Sequence, residues 1–392
     1  MAPVALTAPT RSSFTPAKIS LFAGQCGLIA MGSYYAQLLE LSIAGELRLA
    51  PHFAGLMVTF SQIGYVAGLL LIAPPWRSPG KPSPHFGGAR RLAPLPPERR
   101  LIAERVVLLA ASFGIGMFSV AVQMLVASAS AATTESARGS VVGWVTGGLL
   151  VGILAAWPVA NVAGDLIGWR GLYFVQAAAI ASSALVMARI LPTRLPQGSA
   201  SYGVLVTTFW QPFAALSELR RRALIQAALF GSFSLFWTAA PLKLAQYDLG
   251  RTEVALFGLI GGVGALVAPM AGRAADRGRD RLIALGGMFA IAAGFAISAA
   301  VDTPQALCAC AILLGAGVQA NLVASQRRIL SLDERAGHRL NGLFVAFFFL
   351  GGAAGSAAAG PLMTLGGWVA IPLAGMACTL IAAVLAGRTS PA

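Results

Sequence analysis

Hydrophobic residues along this chain come in blocks of about 20, the length that an α-helix needs to cross the hydrocarbon core of a bilayer. Short polar stretches rich in Gly, Pro and Arg separate the blocks. The pattern predicts an all-α membrane protein with eleven clear transmembrane helices. The predicted spans cover residues 20–40, 54–75, 105–130, 140–164, 169–191, 223–242, 252–272, 282–300, 305–324, 340–362 and 367–387.

The chain divides into two related halves. Residues 192–222 contain three prolines and three consecutive arginines, and they predict a cytoplasmic linker between an N-terminal bundle (1–191) and a C-terminal bundle (223–392). Five residues of the first half recur 199 positions later, which indicates internal duplication and is typical of one class of secondary transporters. The five are Glu135, Gly143, Gly152, Gly168 and Trp169, matched by Glu334, Gly342, Gly351, Gly367 and Trp368.

Composition supports a membrane protein and restricts its partners. Hydrophobic residues make up 57% of the chain and charged residues only 11%, whereas soluble domains carry about 25% charged residues. The net charge of +14 comes from arginines clustered between hydrophobic blocks, which is typical of cytoplasmic loops and disfavours nucleic-acid binding. We expect a lipid bilayer around the protein, no nucleic-acid partner, and both termini in the cytoplasm.

One stretch of the first half breaks the pattern. Residues 76–101 lie where a third span is expected, yet they are hydrophilic and rich in Pro, Gly and Arg. Each Arg near the centre of a span costs about 2.5–3.5 kcal/mol on insertion scales. The length of the repeat is preserved across this stretch, which favours a pair of compensating frameshifts. Twelve spans, with the third abnormal, are therefore expected.

Polar side chains inside the spans are the best pointers to a binding cavity, because burial in hydrocarbon is costly unless they face a partner or a cavity. For each of them, hydrogen bonding between helices and contact with substrate remain equal alternatives. The candidates are Tyr34, Tyr35, Gln37, Gln62 and Gln123 in the first half and Gln226, Trp237, Gln319 and Asn321 in the second.

The chain resembles the major facilitator superfamily, in particular its bacterial drug:proton antiporter-like branch. Several short stretches carry the resemblance, including RGSVVG (138–143), GWRGLY (168–173), GRAADR (272–277) and FLGGAAGS (349–356). The resemblance implies a two-bundle fold of twelve helices, alternating access, proton coupling and a bacterial inner membrane. It also implies that Gly272, Asp276, Arg277 and Arg281 form a gating loop that latches one bundle onto the other; a plain positively charged loop is the alternative.

The function that follows is secondary active transport of a small molecule, namely efflux with possible proton coupling. The alternative is a degenerate or frameshifted homologue with little transport. An enzyme is not expected, because no phosphate-binding loop and no HExxH motif is present. The four cysteines lie in apolar blocks without a second pair or nearby His, so we expect no metal and no cofactor. We expect a monomer.

Overall fold

Helices form at every apolar segment in a computed structural model, which describes residues 15–49, 53, 55–71, 97–131, 133, 135–190, 210–262, 264, 267–333 and 337–387. All regular structure within these residues is helical. The helices are α1 (Pro16–Glu46), α2 (Leu56–Leu71), α3 (Pro97–Ser119), α4 (Ala121–Ala131), α5 (Glu135–Ile190), α6 (Ser217–Leu244), α7 (Arg251–Gly262), α8 (Val267–Asp276), α9 (Asp280–Ala300), α10 (Pro304–Leu330) and α11 (Gly337–Gly387).

Two of these helices are pairs of spans joined by a single glycine. Gly168 interrupts α5 with φ 68° and ψ 171°, and Gly367 interrupts α11 with φ 58° and ψ −156°. This backbone region is open essentially to glycine alone. The two glycines are one of the residue pairs that recur in the sequence, so both halves make the same turn between their last two spans.

The helices agree with the predicted spans in place but not in every boundary. Six helical segments of the described chain are long and apolar enough to cross a membrane by length and composition, and the number of crossings, eleven or twelve, stays a prediction. Residues 97–101 of the expected irregular stretch form the first turns of α3, while 76–96 lie outside the described residues.

The helix predicted to start the second bundle at residue 223 begins earlier, because α6 starts at Ser217 and includes Arg220 to Arg222. The interdomain linker itself stays a prediction. Glu218 pairs with Arg221 and Arg222 at 2.6 Å each, which neutralises part of the arginine cluster in the first turns of the helix. Before α6, residues 210–215 are helical, and the Phe213 ring stacks on Phe347 at 4.2 Å.

Each half is built around one close pair of helices whose backbones touch through glycines. A methyl group on Gly27 of α1 would lie 2.7 Å from the Gly148 carbonyl oxygen of α5. In the second half, a methyl group on Gly231 of α6 would lie 2.9 Å from the Gly351 carbonyl oxygen of α11. Small residues allow this approach, which is a common way to associate helices in lipid.

The helix ends define two faces of the protein. One face, the arginine-rich face, carries the start of α6, where Arg221 donates to the carbonyl of Ala386, and the end of α10, where Arg327 lies 3.8 Å from Asp280. At the other face, the opposite face, Arg105 of α3 donates to the carbonyl of Leu47 just after α1.

Helices α2 and α3 run parallel. Gly64 and Gly68 of α2 approach Phe113 and Met117 of α3 in the same order along both helices. Leu71 therefore ends α2 towards the arginine-rich face, whereas Pro97 begins α3 towards the opposite face. A chain with twelve crossings would place these two helix ends at different faces, and the number of crossings stays a prediction.

Candidate functional site

The two halves meet through polar contacts along α2. Thr59 Oγ1 lies 3.0 Å from Ser356 Oγ of α11, and Gln62 Nε2 donates to Ser234 Oγ of α6 at 3.0 Å. All four side chains are buried. These residues are one helical turn apart on α2, so a single face of this helix is directed at the second half.

Aromatic rings surround these polar contacts. Tyr65 packs against Phe349 with ring centroids 4.1 Å apart, and Phe230 stacks on Phe348 at 3.6 Å. A second group joins α5 to the second half, since Trp157 meets Trp237 edge to face at 5.4 Å. We call these side chains the central cluster; it comprises Gln62, Tyr65, Trp157, Gln226, Phe230, Phe233, Ser234, Trp237, Phe257, Phe348 and Phe349.

Four buried polar atoms in or beside the central cluster have no hydrogen-bond partner among the described residues. They are Gln62 Oε1, Gln226 Oε1, Trp237 Nε1 and Thr238 Oγ1. An unmade hydrogen bond of a buried group costs about 1–3 kcal/mol. Two of the four residues, Gln226 and Trp237, are about 16 Å apart along α6, so the unpaired atoms are distributed along the interface between the halves. Core packing alone does not explain these unpaired atoms, and they mark the cluster as a candidate binding site.

Both ends of the seam between the halves are closed by packing. Towards the opposite face, Gly55 lies directly against the Ser356 carbonyl, where even a methyl group has no room. Towards the arginine-rich face, apolar side chains of both halves form one buried core cluster, which includes Phe22, Val66, Leu219, Leu343 and Phe344. The central cluster therefore lies between two closures.

Three of the sequence-predicted site residues, Gln62, Gln226 and Trp237, lie in the central cluster. Tyr34 is half-buried close to Tyr65, and Gln123, although largely exposed, shares a hydrogen bond with that tyrosine. The side chains of Tyr35 and Gln37 lie outside the described residues.

The other two predicted site residues are on α10. Gln319 is half-buried. Asn321 is buried, and its Nδ2 donates to the carbonyls of Ala284 and Gly317 at 3.1 and 3.0 Å. The bond to Ala284 links α10 to α9. Asn321 therefore makes a hydrogen bond between helices, one of the two roles that the sequence left open for the polar residues of the spans.

Sequence reasoning missed most of the aromatic side chains and Ser234. Phenylalanines are frequent in membrane spans, so their presence alone carries no signal. A signal did exist in spacing: Phe230, Phe233 and Trp237 follow Gln226 at intervals of four, three and four residues, which places all of them on one face of α6.

The predicted gating loop lies on the arginine-rich face. Gly272 is half-buried near the end of α8, Arg277 and Arg281 are exposed, and the side chain of Asp276 lies outside the described residues. The latch between the bundles stays a prediction.

The opposite face carries two clusters of charged side chains. In the second half, Lys243 is buried at the end of α6 and its Nζ lies 2.8 Å from Asp302, to which Tyr247 also donates. Lys243, and to a lesser degree Tyr247, holds the pKa of the Asp302 carboxyl below its usual range. In the first half, Arg170 bridges Glu46 and Glu104.

Comparison with known proteins gives the family. The sequence matches the Major Facilitator Superfamily over residues 101–326 and 223–391. It is 32% identical to "Uncharacterized transporter YgaY" of Escherichia coli O157:H7, over 94% of each chain. It is also 26% identical to "Chloramphenicol resistance protein" of Streptomyces lividans, over 55% of this chain and 54% of that one.

The fold has a solved counterpart. A bacterial homologue of the human lysosomal transporter Spinster, in an inward-facing and unoccupied conformation, superposes with a TM-score of 0.68 at 12% identity, covering 95% of this chain and 98% of the other. This likeness confirms the two-bundle fold expected from the sequence. The chain belongs to the Major Facilitator Superfamily, a family of membrane transporters.

Proposed function

We propose that this protein is a secondary active transporter that exports a small molecule by alternating access through the central cluster. The observation that carries the proposal is the set of unpaired polar atoms buried between two closures, at the meeting of the two halves. A molecule bound there would contact both halves at once. Rocking of one half against the other would then open one closure at a time.

Efflux is favoured over uptake by the relationship to the Streptomyces lividans chloramphenicol resistance protein. Resistance through a membrane transporter follows when the compound is pumped out. We extend this direction of transport to the present protein, in a bacterial inner membrane with both termini in the cytoplasm and with the monomer as the working unit. The arginine-rich face would then be cytoplasmic, in line with the positive-inside rule.

Proton coupling belongs to the proposal as well. A coupled transporter needs a group that titrates within its transport cycle. Among the described side chains Lys243 is a buried basic group, but the carboxylate of Asp302 neutralises it at the opposite face. We therefore place the coupling step at a carboxyl group of the first half, for which Glu40, Glu46 and Asp165 are the candidates by sequence.

The proposal is tested with purified protein in liposomes and chloramphenicol as the probe. We expect the probe to accumulate inside when the lumen is acidic, because outward movement of protons then drives inward movement of the probe. Collapse of the pH gradient with an ionophore, and liposomes without protein, are the controls. Equal distribution of the probe in all three preparations would contradict transport of this compound.

A second preparation separates a working transporter from a degenerate one. Residues 76–101 are replaced by an apolar span of equal length, which restores the expected third helix. Equal gradient-driven flux in both proteins supports an active natural chain, whereas flux in the restored protein alone supports degeneracy. Reading the coding DNA in its other frames for an apolar segment tests the frameshift itself.

A further inference from the structure

The unpaired atoms of the central cluster have a consistent chemistry. In Gln62 the Nε2 is used by Ser234, and in Gln226 the Nε2 donates to the carbonyl of Val318 at 3.3 Å. What remains on each amide is the carbonyl oxygen, which among described residues has no donor facing it. Both glutamines are therefore oriented so that an acceptor is left over.

Aromatic rings lie between these acceptors. Gln226, Phe230, Phe233 and Trp237 share one face of α6, so the Gln226 amide is followed by three rings, of which the last carries the indole N–H. Gln62 of the other half reaches the same face: a methyl group on Gly352 would lie 2.6 Å from both Gln62 Oε1 and the Phe230 ring. The side chains that would face a bound molecule thus combine flat rings with two carbonyl acceptors and the Trp237 indole N–H.

The described side chains of the central cluster are amides, hydroxyls and aromatic rings, without a formal charge among them. An ionised ligand would lose its hydration there and meet no opposite charge, which is strongly unfavourable. A neutral ligand with N–H or O–H groups would satisfy the free carbonyl oxygens, and an aromatic ring would stack among the phenylalanines.

We propose that the protein selects uncharged aromatic molecules that carry N–H or O–H donors, and that Gln62 and Gln226 are the residues that determine this specificity. The inference rests on the transport function proposed above and adds to it the class of substrate.

The same chain supplies a glutamine for comparison. Gln176 of α5 is also buried, but its Nε2 donates to the carbonyl of Ile29 within the first half, away from the central cluster. A change of Gln176 to Met removes a buried amide of the same size and tests general damage to the fold. Ser232 is the matched control for Ser234, because its hydroxyl donates to the Leu229 carbonyl of its own helix.

Binding is measured on the full-length protein in lipid nanodiscs by calorimetry and by quenching of tryptophan fluorescence. Four probes share one ring: 4-hydroxybenzamide is neutral with donors, 4-methoxy-N,N-dimethylbenzamide is neutral without donors, 4-hydroxybenzoate is an anion, and 4-hydroxybenzamidine is a cation. We expect saturable binding of 4-hydroxybenzamide, and binding at least about tenfold weaker for each of the other three.

The variants Gln62→Met and Gln226→Met should each weaken binding of 4-hydroxybenzamide by about tenfold, the loss of one hydrogen bond to a buried acceptor. Gln176→Met should leave binding unchanged. Ser234→Ala should weaken binding more than Ser232→Ala does, because Ser234 holds the Gln62 amide in place.

Several results would overturn the inference: tight binding of the anion or cation, equal binding of the donor-free probe, no binding of 4-hydroxybenzamide at millimolar concentration, or full binding in both glutamine variants. Failure of transport is distinguishable from these outcomes. Selective binding without flux in liposomes would reject only the transport function, and flux that ignores Gln62 and Gln226 would reject only the inference.

Discussion

The two halves share their backbone contacts and differ in their polar chemistry. Each half has a glycine-mediated helix pair and a glycine turn between its last two spans, at Gly168 in the first half and Gly367 in the second. The ionic contacts at the opposite face have no such likeness. Lys243 of the second half is 7% exposed, whereas Arg170 of the first is 44% exposed.

The difference shows which interactions a duplicated membrane protein has to keep. Close helix packing depends on small residues, and the special backbone conformations of the two turns depend on glycine. Exposed ion pairs contribute little, typically about 0–1 kcal/mol, and can be rearranged without loss of the fold. Polar side chains in the centre depend on what is bound there, so the two halves are free to contribute different ones.

Substitution of the glycines in the two close helix pairs should have the largest effect on stability. Gly148→Ala would press a methyl group into the Ala23 backbone, and Gly351→Ala would do the same at Ala227. Because backbone atoms cannot move aside, we expect each change to lower the free energy of unfolding by about 3 kcal/mol, the upper part of the range for overpacking. Unfolding in SDS titrations measures this.

The control for these variants is alanine at Gly147 and Gly286, where a methyl group meets nothing within 4 Å. There we expect no loss, or a gain of about 0.5–1 kcal/mol from helix propensity. A large loss in only one half would break the proposed symmetry.

Substitution of the turn glycines, Gly168 and Gly367, should have the next largest effect on stability. Gly168→Ala and Gly367→Ala each force a side chain into a backbone region that costs about 1–3 kcal/mol, although no neighbouring atom is in the way. Equal losses in the free energy of unfolding would sharpen the comparison between the halves. Helical Gly143, with nothing within 4 Å of an added methyl group, is the matched control.

Replacement of the tryptophan after each turn by phenylalanine should lower the free energy of unfolding by unequal amounts. Trp368 Nε1 donates to the carbonyl of buried Ser298 at 3.2 Å, while Trp169 Nε1 donates to Glu46, a half-exposed carboxylate. We expect Trp368→Phe to cost about 1 kcal/mol, since the carbonyl loses its partner. Trp169→Phe should cost a few tenths of a kcal/mol, about the value of an exposed contact, because water replaces the indole. Identical losses in thermal unfolding would contradict this contrast.

Mild acidification should have the smallest effect on the stability contributed by the pair of Asp302 and Lys243. The pKa of Asp302 is lowered in the folded protein, so its pairing with Lys243 stabilises fully above the ordinary Asp pKa of about 3.9. That stability is lost only as the pH falls through the lower folded value. Between neutral pH and about pH 5, the unfolding midpoint should therefore change equally in the natural protein and in Asp302→Asn. A difference that develops in this range would contradict the assignment.

Much of the fold could be predicted from the sequence, while the site could be predicted only in part. Block length located the helices, since hydrophobic thickness fixes how many residues a span needs. Polarity inside a span singled out Gln62, Gln226 and Trp237. The same criterion selected Asn321, whose amide binds the backbone of a neighbouring helix, because polarity reports depth in the bilayer and not the partner.

The sequence by itself determined the membrane class, the repeat, the arginine-rich loops and the glycines of both turns. Only the tertiary structure decided that α2 and α3 run parallel, that Gln62 reaches Ser234, and that Trp157 meets Trp237 across the halves. The physical reason is the rotation of each helix about its axis. Hydropathy is nearly uniform around a helix in lipid, so packing against neighbouring helices, and not amphipathicity, sets which side chains meet.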